Sequence, residues 1–317
     1  MIRPAPLRTH KAAETPPGVC APRIPDWLRR AAKAPAFPNT EFAAGAALGA
    51  LDMLVRGDMA AAQAWRCRLA LRAAAISCQR VRRPEDETAL RDALALTRPG
   101  DDVGPAGRIL LAWRMLVSRP AGTLSGEDTL RAMVEACGYG AEGRIADLRE
   151  MMLEAGEEGH DAIAAAERLF LSVRRLFPEF ETVIAPLLCD AVVARALGWS
   201  HAVPLFLLAG EASASQADPS MLRAMIARRY ARAALDAVDL AITLERRAGQ
   251  LLQVAPKLRA KGAQPVVQAF LEDDAIGSSN HFPGMSDRGL RRLYTRLVSL
   301  GAVRELTGRD SFRIYGL

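Results

Sequence analysis

Histidine is scarce in this chain, with four in 317 residues, and aromatic side chains make up only 5% of it. His10, His160, His201 and His281 have no serine or cysteine partner in a nucleophile–base pattern, so covalent catalysis has no visible constellation. The five cysteines, Cys20, Cys67, Cys78, Cys137 and Cys189, are far apart. They form no Cys-x-x-Cys and no Cys/His set of zinc spacing, which removes the common metal and redox motifs. An odd number of dispersed cysteines reads instead as buried thiols in a reducing, cytoplasmic compartment. No phosphate-cradling Gly-x-x-x-x-Gly-Lys-Ser/Thr loop occurs. Apolar runs stay short of the 18 or so residues a membrane span needs, and residues 1–38 lack the apolar core of an export signal. No cofactor, metal site, catalytic residue or membrane partner is therefore expected. Gly138-Tyr139-Gly140-Ala141-Glu142-Gly143 has dinucleotide-binding glycine spacing, but a helical pattern precedes it where a strand is required. It reads as a helix-to-helix loop.

What remains is abundant alanine and a hydrophobic content of 50%, enough for a sizeable core. Residues 1–38 hold eight prolines and no periodicity, and read as a flexible tail with one short helix over Asp26–Lys33. Helical patterns follow at Glu41–Arg56, Met59–Val81, Asp86–Leu96, Ala106–Val117, Glu127–Cys137, His160–Leu176 and Glu179–Leu197. Asp218-Pro219 opens the longest, which runs to Val254 before Pro256 ends it. Gln264–Asp273 follows. Strand alternation is missing before residue 302. The expected fold is all-α: a multi-helix, bundle-like body over 39–255, then a winged-helix module with a small β-hairpin over 256–317.

The net charge is +6, and it is uneven. Residues 1–38 carry seven basic and two acidic side chains, residues 256–317 ten and six, and the middle is slightly acidic. Basic ends on an acidic body suit a polyanion partner.

The most informative stretch is Met285–Leu317. Ser286 is a good N-cap and Asp287 sits at the positive end of the helix dipole. Leu290, Leu293, Leu297 and Leu300 form one apolar face, with Tyr294 beside them. Arg288, Arg292 and Arg296 step by four along the opposite face, next to Arg291. Gly301 stands where a left-handed stop residue belongs. Extended runs at Ala302–Leu306 and Phe312–Tyr315 flank the turn-rich Thr307-Gly308-Arg309-Asp310-Ser311, which predicts a hairpin. A helix followed at once by such a hairpin is the winged-helix order. Arg288, Arg291, Arg292 and Arg296 would face DNA, and Arg309 and Arg313 in the wing would reach phosphates. The segment Ala275–Gly284 leaves the usual second helix very short or missing.

A second polar concentration lies between Trp65 and Arg114. Arg66, Asp101, Asp102, Arg108 and Arg114 are its candidates for an anion or active site. The competing reading is a structural ion-pair network that fixes helix register, because charges within an apolar body must be matched.

Phe42–Ala47, Trp65–Leu71, Glu85–Asp92, Arg98–Arg114, Leu197-Gly198-Trp199 and Ala255–Gly262, with the C-terminal stretch, resemble an uncharacterised bacterial family, domain-of-unknown-function family 1403. That resemblance implies no activity. Leu300–Arg309 with Tyr315 is similar to the C-terminal winged helix of Fic-family proteins. The catalytic Fic histidine motif is absent, so nucleotide transfer is not implied.

These features point to a DNA-binding protein, regulatory or associated with a mobile element, whose body dimerises or senses a signal. One alternative is an enzyme or nucleotide-binding body around Asp101, Asp102, Arg108 and Arg114, with the winged helix as a cap. Another is a protein-interaction module, which a large exposed apolar patch would favour. The balance of motifs is against an enzyme.

Overall fold

The computed structural model describes residues 22–33, 39–98, 100–156, 161–209, 219–258, 262–278, 280–309 and 311–317. Most of the predicted tail, with His10 and Cys20, lies outside them, as do His160, Asp218 and Asp310.

Twelve α-helices and three short strands are present among the described residues: α1 Asp26–Lys33, α2 Thr40–Val55, α3 Ala62–Arg80, α4 Glu87–Leu96, α5 Gly104–Ser118, α6 Glu127–Ala136, α7 Ile145–Ala155, α8 Ala162–Leu176, α9 Ile184–Ala196, α10 Pro219–Val254, α11 Ala263–Glu272, β1 Ile276–Gly277, α12 Asp287–Ser299, β2 Arg304–Glu305 and β3 Ile314–Gly316. The body is helical and the sheet is confined to the C-terminal end.

The 36-residue α10 is the spine. α2 packs along it through Ala43, Ala44, Ala47, Leu48, Leu51 and Leu54, whose small and medium side chains allow close approach. α1 also docks here, burying Leu28, Ala31 and Ala32. That part of the presumed tail therefore belongs to the folded body. Polar anchors fix the layers. Trp65 Nε1 donates to the Ala237 carbonyl at 3.0 Å, tying α3 to α10, and Trp113 Nε1 donates to Ser77 Oγ at 3.0 Å, tying α5 to α3. Glu245 of α10 accepts from the amides of Ala60 and Ala61, satisfying donors at the start of α3 from a distant element.

Three local readings need correction. α7 is a full helix in a stretch for which the sequence pattern predicts no element; Ile145, Leu148, Met152 and Ala155 bury one face of it. The predicted helix Glu179–Leu197 is instead a 3₁₀ turn, Pro178–Phe180, followed by α9 from Ile184. Pro186 is the reason, since a proline is tolerated in a helix's first turn but not in its interior. Finally, a strand exists before residue 302. β1 completes an antiparallel sheet of order β1-β3-β2, with Ile276 opposite Tyr315 and Glu305 opposite Tyr315 on the other side. The described residues between β1 and α12 hold no helix.

The C-terminal unit, α11 to β3, has its own aromatic centre. Tyr294 stacks on Tyr315 at 4.5 Å and meets Phe270 edge-on at 5.9 Å. Ser286 caps α12 by accepting from the Gly289 amide, and Gly301 (φ 67°) ends it. Gly316 has no room for a side chain: a Cβ there would lie 2.6 Å from the Asp274 carbonyl oxygen. β3 can pass over the α11–β1 turn only because it is bare at that point.

Candidate functional site

α12 turns Leu290, Leu293, Tyr294 and Leu297 inward. The same period sends Arg288, Arg291, Arg292 and Arg296 outward, with Thr295 and Ser299 between them along a shallow groove of about 380 Å³. Among the described residues, none of these four guanidinium groups has an ion-pair or hydrogen-bond partner. They form a cationic stripe on one exposed helix face.

The hairpin arginines sit differently. Arg309 Nη2 lies 2.5 Å from Asp92 Oδ2 of α4, so its charge is already matched by the body. Arg313 Nε donates to the Arg309 carbonyl at 2.8 Å. Glu305 accepts from the Thr307 hydroxyl and from the amides of Thr307 and Gly308; against some burial, these bonds, the hydroxyl's first, hold its carboxyl below the ordinary value. The hairpin tip is thus ordered by its own glutamate and fastened to α4, where the sequence suggested a projecting arm.

The five body candidates do not converge. Asp101 and Asp102 are exposed. Asp102 accepts from the Gly104 amide at 3.0 Å and so serves the start of α5, with Arg108 3.7 Å away. Arg66 donates to Gln63 at 2.6 Å, and burial lowers its pKa. Arg114 turns to a residue far along the chain, Asp273. The group that actually assembles was not foreseen. Asp273 and Asp274, consecutive at the end of α11, receive three arginines from the body: Arg114 on Asp273, and Arg68 and Arg91 on Asp274. Arg91 Nε sits 2.6 Å from Asp274 Oδ2. Burial pushes Arg68 down to about 9, helped by the neighbouring Arg91 and Arg72 charges. Arg68 Nε is in direct contact with the Asp274 carboxylate. The available signal was the acidic pair itself, standing opposite unmatched arginines in α3, α4 and α5.

Beside this junction runs a cleft of about 610 Å³, lined by Leu94, Leu96, Arg98, Leu110, Asn280 and His281 among others. Of the five body candidates, only Arg114 reaches it. A separate acid, Asp190 of α9, is fully buried. It accepts from the Leu205 and Phe206 amides at 2.9 and 3.0 Å and from the Tyr230 hydroxyl at 3.1 Å. Burial still drives its pKa up to about 8.

A family model described as a protein of unknown function, DUF1403, matches residues 16–317. The chain belongs to the DUF1403 family. No curated protein matches it. Nothing about activity follows from that membership, so the chemistry of this DUF1403 chain has to come from its own residues.

In this DUF1403 protein the histidines give little. His201 Nδ1 does lie 3.2 Å from Ser200 Oγ, its sequence neighbour, but no described carboxylate orients the ring. Among the described residues, no three His, Cys, Asp or Glu side chains are placed to share a metal ion, and no helix is long and apolar enough to cross a membrane. An apolar surface feature is present: Trp27 (42% exposed) stacks on Phe42 (66% exposed) at 5.7 Å.

Proposed function

We propose that the C-terminal unit is a winged helix and that this protein binds duplex DNA through α12, with the helical body as carrier, dimerisation or sensing domain. The observation that carries the reading is the arginine stripe. Four guanidinium groups on one exposed face, without acid partners, are a costly arrangement for a solvated helix and a suitable one for a phosphate backbone. Three further features support it. The order helix, strand, helix, hairpin with sheet order β1-β3-β2 matches a winged helix without its second helix, α12 taking the place of the recognition helix. The Fic-type winged-helix similarity of Leu300–Arg309 points the same way. Arg309 and Arg313 then assist only if the wing leaves Asp92.

An electrophoretic shift titration with random-sequence duplex tests the reading. The wild type should retard the duplex and Arg292→Ala should need several-fold more protein. Retardation at equal protein concentration for both would reject α12 as the contact face.

A further inference from the structure

A second cationic cluster lies away from α12. α3 carries Arg68 and Arg72 four residues apart, on one face. α10 contributes Arg247, with Arg246 next to it, and β2 contributes Arg304. Arg68, Arg72, Arg247 and Arg304 line a single cleft of about 450 Å³, together with Thr243, Asp236 and Asp239. The acids offset it only in part. Asp239 is held bidentately by Arg29 at 2.8 Å, and Arg68 is committed to Asp274. Asp236 is an exposed carboxyl whose pKa is raised, first by desolvation and then by Asp239, while the Arg232 and Arg72 charges pull it down. Among the described residues, Arg72, Arg247 and Arg304 make no ion pair and no side-chain hydrogen bond.

Like charges gathered at the mouth of a partly buried cleft repel one another, and the lower dielectric there strengthens the repulsion. Arg247 shows the consequence: its pKa is lowered by burial and then by Arg304 and Arg246. Four arginines against two carboxylates, one of them held by Arg29, leave the cleft with a cationic excess that suits an external anion. Guanidinium forks from different elements match a tetrahedral oxyanion with several charge-assisted hydrogen bonds. A halide offers no such geometry, and a planar carboxylate offers fewer acceptors.

We propose that Arg72, Arg247 and Arg304 form a phosphate-binding site between the body and the C-terminal sheet, where a bound phosphate oxyanion joins α10 to β2. The phosphate has two possible sources, a free phosphate compound or the backbone of a duplex. The site is independent of the role given to α12.

The full chain is melted in chloride and in inorganic phosphate at matched ionic strength. Phosphate raises melting temperatures non-specifically by preferential exclusion, so the variants carry the decision. The wild type should gain a saturable shift. Arg247→Ala and Arg304→Ala should keep only the small linear rise. Arg304→Glu should melt higher than wild type in chloride, because it supplies Arg247 with an internal acid, and should lose the saturable response. Phosphorus NMR line broadening of inorganic phosphate, present for wild type and absent for Arg247→Ala, reads binding directly. Titrating the same variants with duplex separates the sources: unchanged duplex affinity assigns the site to free phosphate, and a parallel loss assigns it to the nucleic-acid backbone. An equal phosphate response in wild type and both alanine variants, or no saturable response at all, overturns the proposal.

Discussion

Arg309, at the tip of the C-terminal hairpin, rests on Asp92 of α4 across 2.5 Å. The hairpin is therefore closed onto the body, and any use of Arg309 on a polyanion has to compete with Asp92. Asp92→Asn removes the competing charge. In the account given above, this variant should bind duplex a few-fold more tightly, with a salt dependence steeper by about one phosphate contact. Fluorescence anisotropy across a salt series measures both. Identical affinity and slope would show that the hairpin makes no contact even when released.

The junction between body and C-terminal unit rests on Asp274, which lies between Arg68 and Arg91. Removing one partner of a buried ion pair leaves the other charge uncompensated. Asp274→Ala should then cost about 3–5 kcal/mol in urea unfolding followed by tryptophan fluorescence. Asp239→Ala, which breaks the half-exposed pair with Arg29, should cost no more than about 1 kcal/mol. Similar losses in the two variants would mean that the junction is far more hydrated than its burial implies.

Asp190 gives the protein a pH dependence of unusual sign. Burial pushes its carboxyl up to about 8, against an ordinary value of 3.8. The native state thus keeps a proton that the unfolded chain has released. Its contribution is complete below about pH 4, declines by up to about 1.4 kcal/mol per pH unit above that, and levels off once pH passes about 8. Melting temperatures should fall between pH 6 and pH 8 in the wild type, and Asp190→Asn should flatten that fall. A flat wild-type profile over the interval would show that the buried acid is ionised and compensated.

Much of the helical body was legible because alanine and leucine periodicity is strong wherever a helix must bury a face. α2 and α10 follow the expected bounds within a residue or two. β1 was not legible, because a two-residue strand has no alternation to read and exists only because β3 pairs with it. α7 was obscured by the glycines before it, although Ile145, Leu148 and Met152 held the pattern. In the site, the outward placement of the α12 arginines follows from local spacing alone. The fate of Arg114 and Arg309 does not, since each answers to an acid far away in sequence, Asp273 and Asp92. Spacing says which face a charge occupies; only the assembled fold says which acid it meets.

The central claim is that the Arg288, Arg291, Arg292 and Arg296 face of α12 meets a nucleic-acid backbone. Its most direct test is the salt slope of duplex binding for the wild type and for the variant with all four arginines changed to alanine. Four neutralised phosphates predict a wild-type affinity that falls roughly a hundredfold between about 50 and about 200 mM salt, and a variant with most of that slope gone. A variant that binds with the wild-type affinity and slope would contradict the claim.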